Sequence, residues 1–170
     1  MKKLCITVGI VCLIPLNLKA PNLDKSFRTT RFEQVILEHI EYEKLQERVN
    51  TILTILRIIE SKNNYHLRGH SREYGAYQFT RSTWNNYSKL FFNEVLDITI
   101  PENQDKVART KVEMLIQKGL TDEEIASFWN SGKRRWKNKI GTNRYGINYN
   151  VPKYVKKFIK TKKELKCYEI

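Results

Sequence analysis

Apolar residues recur along most of this chain at spacings of three and four, the repeat of an amphipathic helix. Phe32, Val35, Ile36 and Ile40 open the pattern; Leu45, Val49, Ile52, Leu53, Leu56 and Ile59 carry it on along one helical face. The spacing predicts one long helix, or two abutting ones, ending close to Glu60-Ser61. Residues 62–77 lose the period and contain Asn63, Asn64, Gly69 and Gly75, which reads as a loop or a short hairpin. Thr80 stands where it can cap a helix holding Trp84 and Tyr87, and residues 91–99 form a connection. Pro101 occupies a favoured first helical position, and that helix runs through Val107, Met114 and Leu115 to a stop at Gly119. Thr121-Asp-Glu-Glu124 has the form of a capping box, followed by Ile125, Ala126, Phe128 and Trp129 as a buried face. Ser131-Gly132 closes that helix. Lys133 to Asn150 reads as a basic loop with scattered aromatics, Pro152 starts a last helix through Tyr154, Val155, Phe158 and Ile159, and the rest is a basic tail. The fold class expected is mainly α. There is no internal repeat.

The first twenty residues follow a different rule. Lys2 and Lys3 precede an apolar stretch from Leu4 to Leu16, and a short polar end closes on Ala20. This is the layout of a secretory signal, and thirteen residues fall short of the roughly 20 that a membrane span needs. Lys19 and Pro21 are unusual around a cleavage point, so an uncleaved N-terminal anchor is the alternative. Either way the protein is expected outside the cytoplasm, periplasmic or extracellular, with no membrane contact beyond that segment. The division expected is a signal or anchor over 1–20, a helical extension over 21–48, a main domain over 49–160 and a basic tail over 161–170.

Composition sharpens this. Hydrophobic residues make up 41 % of the 170, enough for a real core and too many for a disordered chain. Cys5 and Cys12 lie in the export segment, so Cys167 would be left alone and no internal disulfide can form. The formal charge is +13; without Lys2, Lys3 and Lys19 it falls by three to +10. Such a field draws polyanions, whether nucleic acid or an anionic cell wall, and the export segment favours the wall.

Glu60 is the candidate for chemistry. It closes the apolar run Ile55-Leu56-Arg57-Ile58-Ile59, where partial desolvation raises a carboxyl pKa and lets the group keep a proton near neutral pH. A general acid for glycoside cleavage requires that. Position alone is equally compatible with an ordinary helix-end Glu paired with Arg57 or Lys62.

The neighbours change the balance. Glu60-Ser61 is followed by Gly75-Ala76-Tyr77-Gln78, then by Ala126-Ser127-Phe128-Trp129-Asn130-Ser131-Gly132, and last by Tyr154-Val155. In order and spacing this series resembles the soluble lytic transglycosylases: a Glu-Ser pair at a helix end, a Gly-Leu-Met-Gln type turn, an Ala-x-Tyr-Asn-x-Gly type helix end and a late Tyr-Val helix. Each motif is weak alone; the ordered set, from Glu60 to Ile159, is specific. Ala76-Tyr77 departs from Leu-Met, and Phe128-Trp129 from Ala-Tyr, which removes a hydroxyl. The segment from His70 to Gly75 looks more like small wall-cleaving members of secretion, conjugation or phage systems.

The resemblance implies a lysozyme-like fold, with a loop or short hairpin beside the cleft, and peptidoglycan glycan strands as substrate. It implies that Glu60 protonates the oxygen between N-acetylmuramic acid and N-acetylglucosamine, that Ser61 orients substrate or Glu60, and that Gly75, Tyr77 and Gln78 line the cleft. Trp129 and Asn130 would face Glu60, and Tyr154 would support it through its hydroxyl; packing is the competing role for both aromatics. With one carboxylate, the N-acetyl group would stabilise the anomeric carbon and the muramyl C6 hydroxyl would close on it, giving a 1,6-anhydro end.

Three rivals stand beside that reading. A goose-type lysozyme would use Glu73 as a second carboxylate holding water, although Glu73 beside Arg72 also reads as an exposed loop acid. A basic nucleic-acid binder would use Lys133-Arg134-Arg135-Trp136-Lys137, but no recognised binding motif accompanies it. A wall-binding protein with a dead site would not need Glu60, Gln78 and Asn130 together. His66 and His70 have the spacing of two helical metal ligands but fall in a loop, so neither metal nor cofactor is expected.

Overall fold

The structure is a computed structural model that describes residues 30–142, 146 and 148–167. The expected export segment, Cys5 and Cys12 lie outside the described residues. Helix dominates, at 64 % of the described residues, with one two-stranded sheet among them.

Helix α1 spans Arg31–Ser61. Thr30 and Glu33 cap it reciprocally: the Glu33 amide donates to the Thr30 hydroxyl at 3.3 Å, and the Thr30 amide to Glu33 Oε2 at 2.7 Å. It ends because Lys62 and Asn63 both turn left-handed, at φ 55° and 64°, so the chain leaves sharply just after Glu60-Ser61. Helix α2 covers Arg81–Phe92, α3 Pro101–Gln117, α4 Asp122–Ser131 and α5 Val151–Lys166. Thr80, Thr121 and Asn150 cap α2, α4 and α5 through their side chains, and Glu124 completes the capping box of α4. The start signals in the sequence therefore sit where the helices begin.

Residues 62–80 form the expected loop, a tight one held by single antiparallel bridges, Arg68 with Tyr74 and Tyr74 with Phe79, and no strand. Two segments differ from the reading of the sequence. The two-stranded sheet lies elsewhere, where a basic loop was expected: β1 (Ile140–Thr142) pairs antiparallel with β2 (Asn148–Asn150), Gly141 opposite Tyr149. The last helix also runs further than expected, through the basic residues to Lys166, because Lys162 reaches an ion pair with Asp122 of α4. Basic side chains do not stop a helix whose other face packs, and Val155 and Phe158 are fully buried.

The C-terminal half of α1 is the central post. Its Val49, Ile52, Ile55 and Leu56 meet Val107, Val112 and Leu115 of α3 and Val155 and Phe158 of α5 in one buried cluster. Helix α4 lies along α5 and adds Ile125 and Ala126. Arg48 ties α1 to the start of α4, with its Nη2 2.8 Å from Asp122 Oδ1 and 3.0 Å from the Leu120 carbonyl. The first turns of α1 leave this core: Phe32, Val35, Ile36 and Ile40 are exposed. At about 100° per residue Phe32, Ile36 and Ile40 lie well away from the face that carries Val49, Ile52 and Leu56. No described helix is long and apolar enough to cross a membrane.

Candidate active site

The loop of residues 62–80 folds back over the end of α1 and makes one wall of a cleft of about 1200 Å³. Its anchor is Gln104 on α3, which is fully buried. The Gln104 Oε1 accepts from the Ala76 amide at 2.8 Å, and its Nε2 donates to the carbonyls of Tyr65 and Ile98 at 2.9 and 2.8 Å. Gly75, at φ +84°, passes so close that a β-carbon there would lie 2.1 Å from Gln104 Oε1. Only glycine meets both the backbone angle and the contact. Below the loop, Asp105 accepts hydrogen bonds from the hydroxyls of Tyr65 and Tyr77 at 2.9 and 2.7 Å and pairs with Arg57.

Glu60, Glu73, Tyr77, Gln78, Trp129 and Asn130 all line this cleft. Glu60 rests in its wall as the penultimate residue of α1. Tyr154 of α5 donates its hydroxyl to Glu60 Oε1 at 2.5 Å. Burial pushes the Glu60 carboxyl up to about 7; the Tyr154 hydrogen bond, Lys157 and Lys111 pull it back, and Glu73 adds to the rise. Lys157 is placed nearby by donating to the Ile59 carbonyl at 3.1 Å. Burial and the Glu60 charge together drive the Tyr154 hydroxyl well above its ordinary value, so it stays a donor. A carboxyl that titrates near 7, with a permanent donor on one oxygen, can both give and take a proton at neutral pH.

Ser61, expected to orient substrate or Glu60, is not among the residues that line the main cleft. Ser61 is buried, and its hydroxyl donates to the Ala76 carbonyl at 2.9 Å while accepting from the Asn64 amide at 3.1 Å. It fastens the loop to the helix end and presents nothing to a substrate in the main cleft. Gly75 likewise acts through its backbone, its carbonyl accepting from Gln78 Nε2 at 2.8 Å. That bond, with a second from Nε2 to the Leu67 carbonyl at 3.2 Å, steadies Gln78 in a left-handed conformation. Tyr77 turns its hydroxyl away from the cleft, to Asp105, and its ring is fully buried beneath the cleft surface.

Glu73 also differs from the exposed acid that its neighbour Arg72 suggested. It is half-buried and lines the cleft, and the Ser71 amide donates to its Oε2 at 2.8 Å. Gly69 leaves room for it, since a β-carbon there would come within 2.5 Å of Glu73 Oε2 and 2.4 Å of Gln78 Oε1.

On the far wall, Trp129 packs with Phe79 and Tyr77 at ring separations of 5.3 and 6.0 Å and donates from Nε1 to the Tyr77 carbonyl at 3.4 Å. Trp129 thus takes both roles, packing and lining, and Asn130 beside it is exposed in the cleft.

Three residues of the site gave no sequence signal. Gln104 and Asp105 sit on α3 at ordinary helical positions, and nothing in their spacing marks them as the anchors of a loop 28 residues away. Lys111 is buried in the cleft wall with its ammonium 3.9 Å from the Trp129 ring centroid. Among the described residues no group of three His, Cys, Asp or Glu is placed to hold a metal ion, and His66 Nδ1 lies 3.3 Å from the Tyr74 hydroxyl.

No family model, curated protein or solved structure matches the chain.

Proposed function

We propose that this protein cleaves the glycan strands of bacterial peptidoglycan, with Glu60 as its proton donor, on a lysozyme-like fold. The observation that carries the reading is the Glu60 carboxyl, raised to about 7 in the wall of an open cleft and held by Tyr154. The cleft, at about 1200 Å³, has room for several sugars, and the half-buried rings of Trp129 and Phe128 give it apolar faces against which pyranose rings can pack.

In this mechanism Glu60 protonates the glycosidic oxygen between N-acetylmuramic acid and N-acetylglucosamine. The C1–O bond breaks, and the N-acetyl oxygen of the muramyl unit shares its positive charge. Glu60, now a carboxylate, takes the proton of the C6 hydroxyl of the same sugar. That oxygen bonds to C1, the 1,6-anhydro end forms, and Glu60 has its proton back. The enzyme is then a lytic transglycosylase that consumes no water and needs no cofactor, working outside the cytoplasm on the wall, in the setting of a secretion, conjugation or phage apparatus.

A second reading, a muramidase of goose-lysozyme type, is favoured by the placement of Glu73. That carboxylate lines the same cleft and could hold a water for attack on C1. Digestion of purified peptidoglycan, with mass analysis of the fragments, tests both. Anhydro ends support the lyase, reducing ends the hydrolase. An undigested wall, or digestion by Glu60→Gln at the wild-type rate, sinks the catalytic reading.

A further inference from the structure

Lys111 is a buried charged group in the cleft wall whose chemistry the mechanism above does not use. It lies on α3 and is 4 % exposed. Three aromatic rings from three segments surround its ammonium: Trp129 of α4 at 3.9 Å, Tyr87 of α2 at 4.8 Å and Phe79 of the loop at 5.4 Å to the ring centroids. Ring faces stabilise a cation but accept none of its N–H bonds. Among the described residues no carboxylate lies within ion-pair distance of Lys111 and no oxygen accepts a hydrogen bond from it. The acids nearest in the cleft are Glu60 from α1 and Glu73 from the loop, and Glu60 is bonded to Tyr154.

An ammonium on a buried side chain with no protein oxygen to receive its N–H bonds is costly, and proteins keep such groups neutral, pair them, or aim them at a ligand. Burial lowers the Lys111 pKa to about 7, with the Glu60 charge opposing that, so a large share of molecules carry the charge at neutral pH. The residue is aimed at the cleft, which it lines. An alkyl side chain would fill the same space between the rings at no desolvation cost, so packing does not account for a lysine here.

We propose that Lys111 is a specificity residue that binds a carboxylate of the glycan in the cleft, so that the protein selects muramyl, carboxylate-bearing strands over neutral N-acetylglucosamine polymers. A neutral acetamide oxygen would satisfy one N–H and leave the charge uncompensated; a carboxylate satisfies both needs through a charge-assisted bond. Two carboxylates in the wall share this chemistry: the lactyl group of the muramyl ring when no peptide is attached, and the carboxylates of the attached peptide stem. The inference rests on a glycan occupying the cleft, as proposed above, and adds the group that reads it.

The test uses Glu60→Gln, which leaves the glycan uncut, and measures binding by calorimetry. Its three probes are a peptide-free GlcNAc–MurNAc tetrasaccharide, the same tetrasaccharide with its peptide stems, and chitotetraose. The expected result is that at least one muramyl probe binds about ten-fold or more tightly than chitotetraose. Adding Lys111→Met should abolish that preference while leaving chitotetraose affinity in place. Preference for the peptide-free probe identifies the lactyl carboxylate as the group bound; preference for the other identifies the stem. Equal binding of the three probes by Glu60→Gln overturns the proposal without any Lys111 variant. So does failure to bind any of them, or a preference that survives Lys111→Met. Digestion by the wild type separates the two readings: wall cleavage without a carboxylate preference removes only the Lys111 role, and a Lys111-dependent preference without cleavage removes only the catalytic one.

Discussion

The Tyr154 hydroxyl, carried by the last helix, donates to Glu60 Oε1 at 2.5 Å across 94 residues of chain. This bond favours the ionised carboxylate, so it lowers the Glu60 pKa against the larger effect of burial. Tyr154→Phe removes the donor and keeps the ring. The Glu60 pKa then climbs further above about 7, and the descending alkaline limb of the activity profile moves to higher pH. Maximal activity should fall at the same time, because the Glu60 carboxylate formed on proton transfer loses its stabilising donor. A pH–rate profile of the variant on purified peptidoglycan checks both; a limb that stays in place refutes the coupling.

Glu60 should cost the fold stability at neutral pH. Its folded pKa of about 7 lies above the unfolded value of 4.5. The unfolded chain gives up the proton first, so the contribution of Glu60 is fully present below pH 4.5 and is lost as the pH rises through 7. Glu60→Gln removes that penalty. The variant should be more stable than wild type at pH 8 by on the order of 1–3 kcal/mol, and so unfold at a higher temperature, and the gap should close at pH 4.5. Thermal unfolding at the two pH values decides it. An unchanged or lowered Tm at pH 8 would show that Glu60 is not desolvated.

The caps explain how much of this was legible. Thr80, Pro101, Thr121 and Pro152 act within three or four residues, so their effect is written in adjacent letters, and four helix starts follow from them. The motif residues Glu60, Gln78, Trp129 and Asn130 were legible as an ordered set, and the fold brings them to one cleft. What stayed hidden depends on the third dimension. The Phe32 to Ile40 stripe has a helical period, and period reveals a face without revealing what covers it; here it is exposed. Ser61 looked like a site residue because it follows Glu60, yet at that position it points to the Ala76 carbonyl. Lys111 gave no signal at all, because a basic letter carries no mark of the aromatic rings that other segments bring to it.

Gln104 should matter as much to the site as any cleft residue, although it touches no substrate. Its three hydrogen bonds hold the loop at Tyr65 and Ala76 and the connection at Ile98. Gln104→Leu has nearly the same volume and leaves the Ala76 amide and two carbonyls without partners. Each orphaned buried group costs about 1–3 kcal/mol, so a loss of roughly 2–5 kcal/mol is expected in denaturant unfolding. If the protein still folds, the loop should exchange its amide hydrogens faster from Gly75 to Phe79 than α1 does. A variant as stable as wild type would show that these bonds do not anchor the loop.

Glu73 decides between the two outcomes of cleavage, and its surroundings argue both ways. It lines the cleft and raises the Glu60 pKa, as a second carboxylate near the reaction would. Yet its Oε2 is already held by the Ser71 amide, within its own loop. A carboxylate so engaged has one oxygen left to position water, whereas the muramyl C6 hydroxyl is tethered to the reacting sugar. Tethering is worth about 7–11 kcal/mol in favourable geometry, so the intramolecular attack should win. Wild-type digests are therefore expected to carry 1,6-anhydro ends, and Glu73→Gln should leave their identity unchanged. The amide also removes a negative neighbour, so the Glu60 pKa should fall and the alkaline limb of activity should move to lower pH. Reducing ends from the wild type that vanish in Glu73→Gln would instead make Glu73 the water-holding base and the protein a hydrolase.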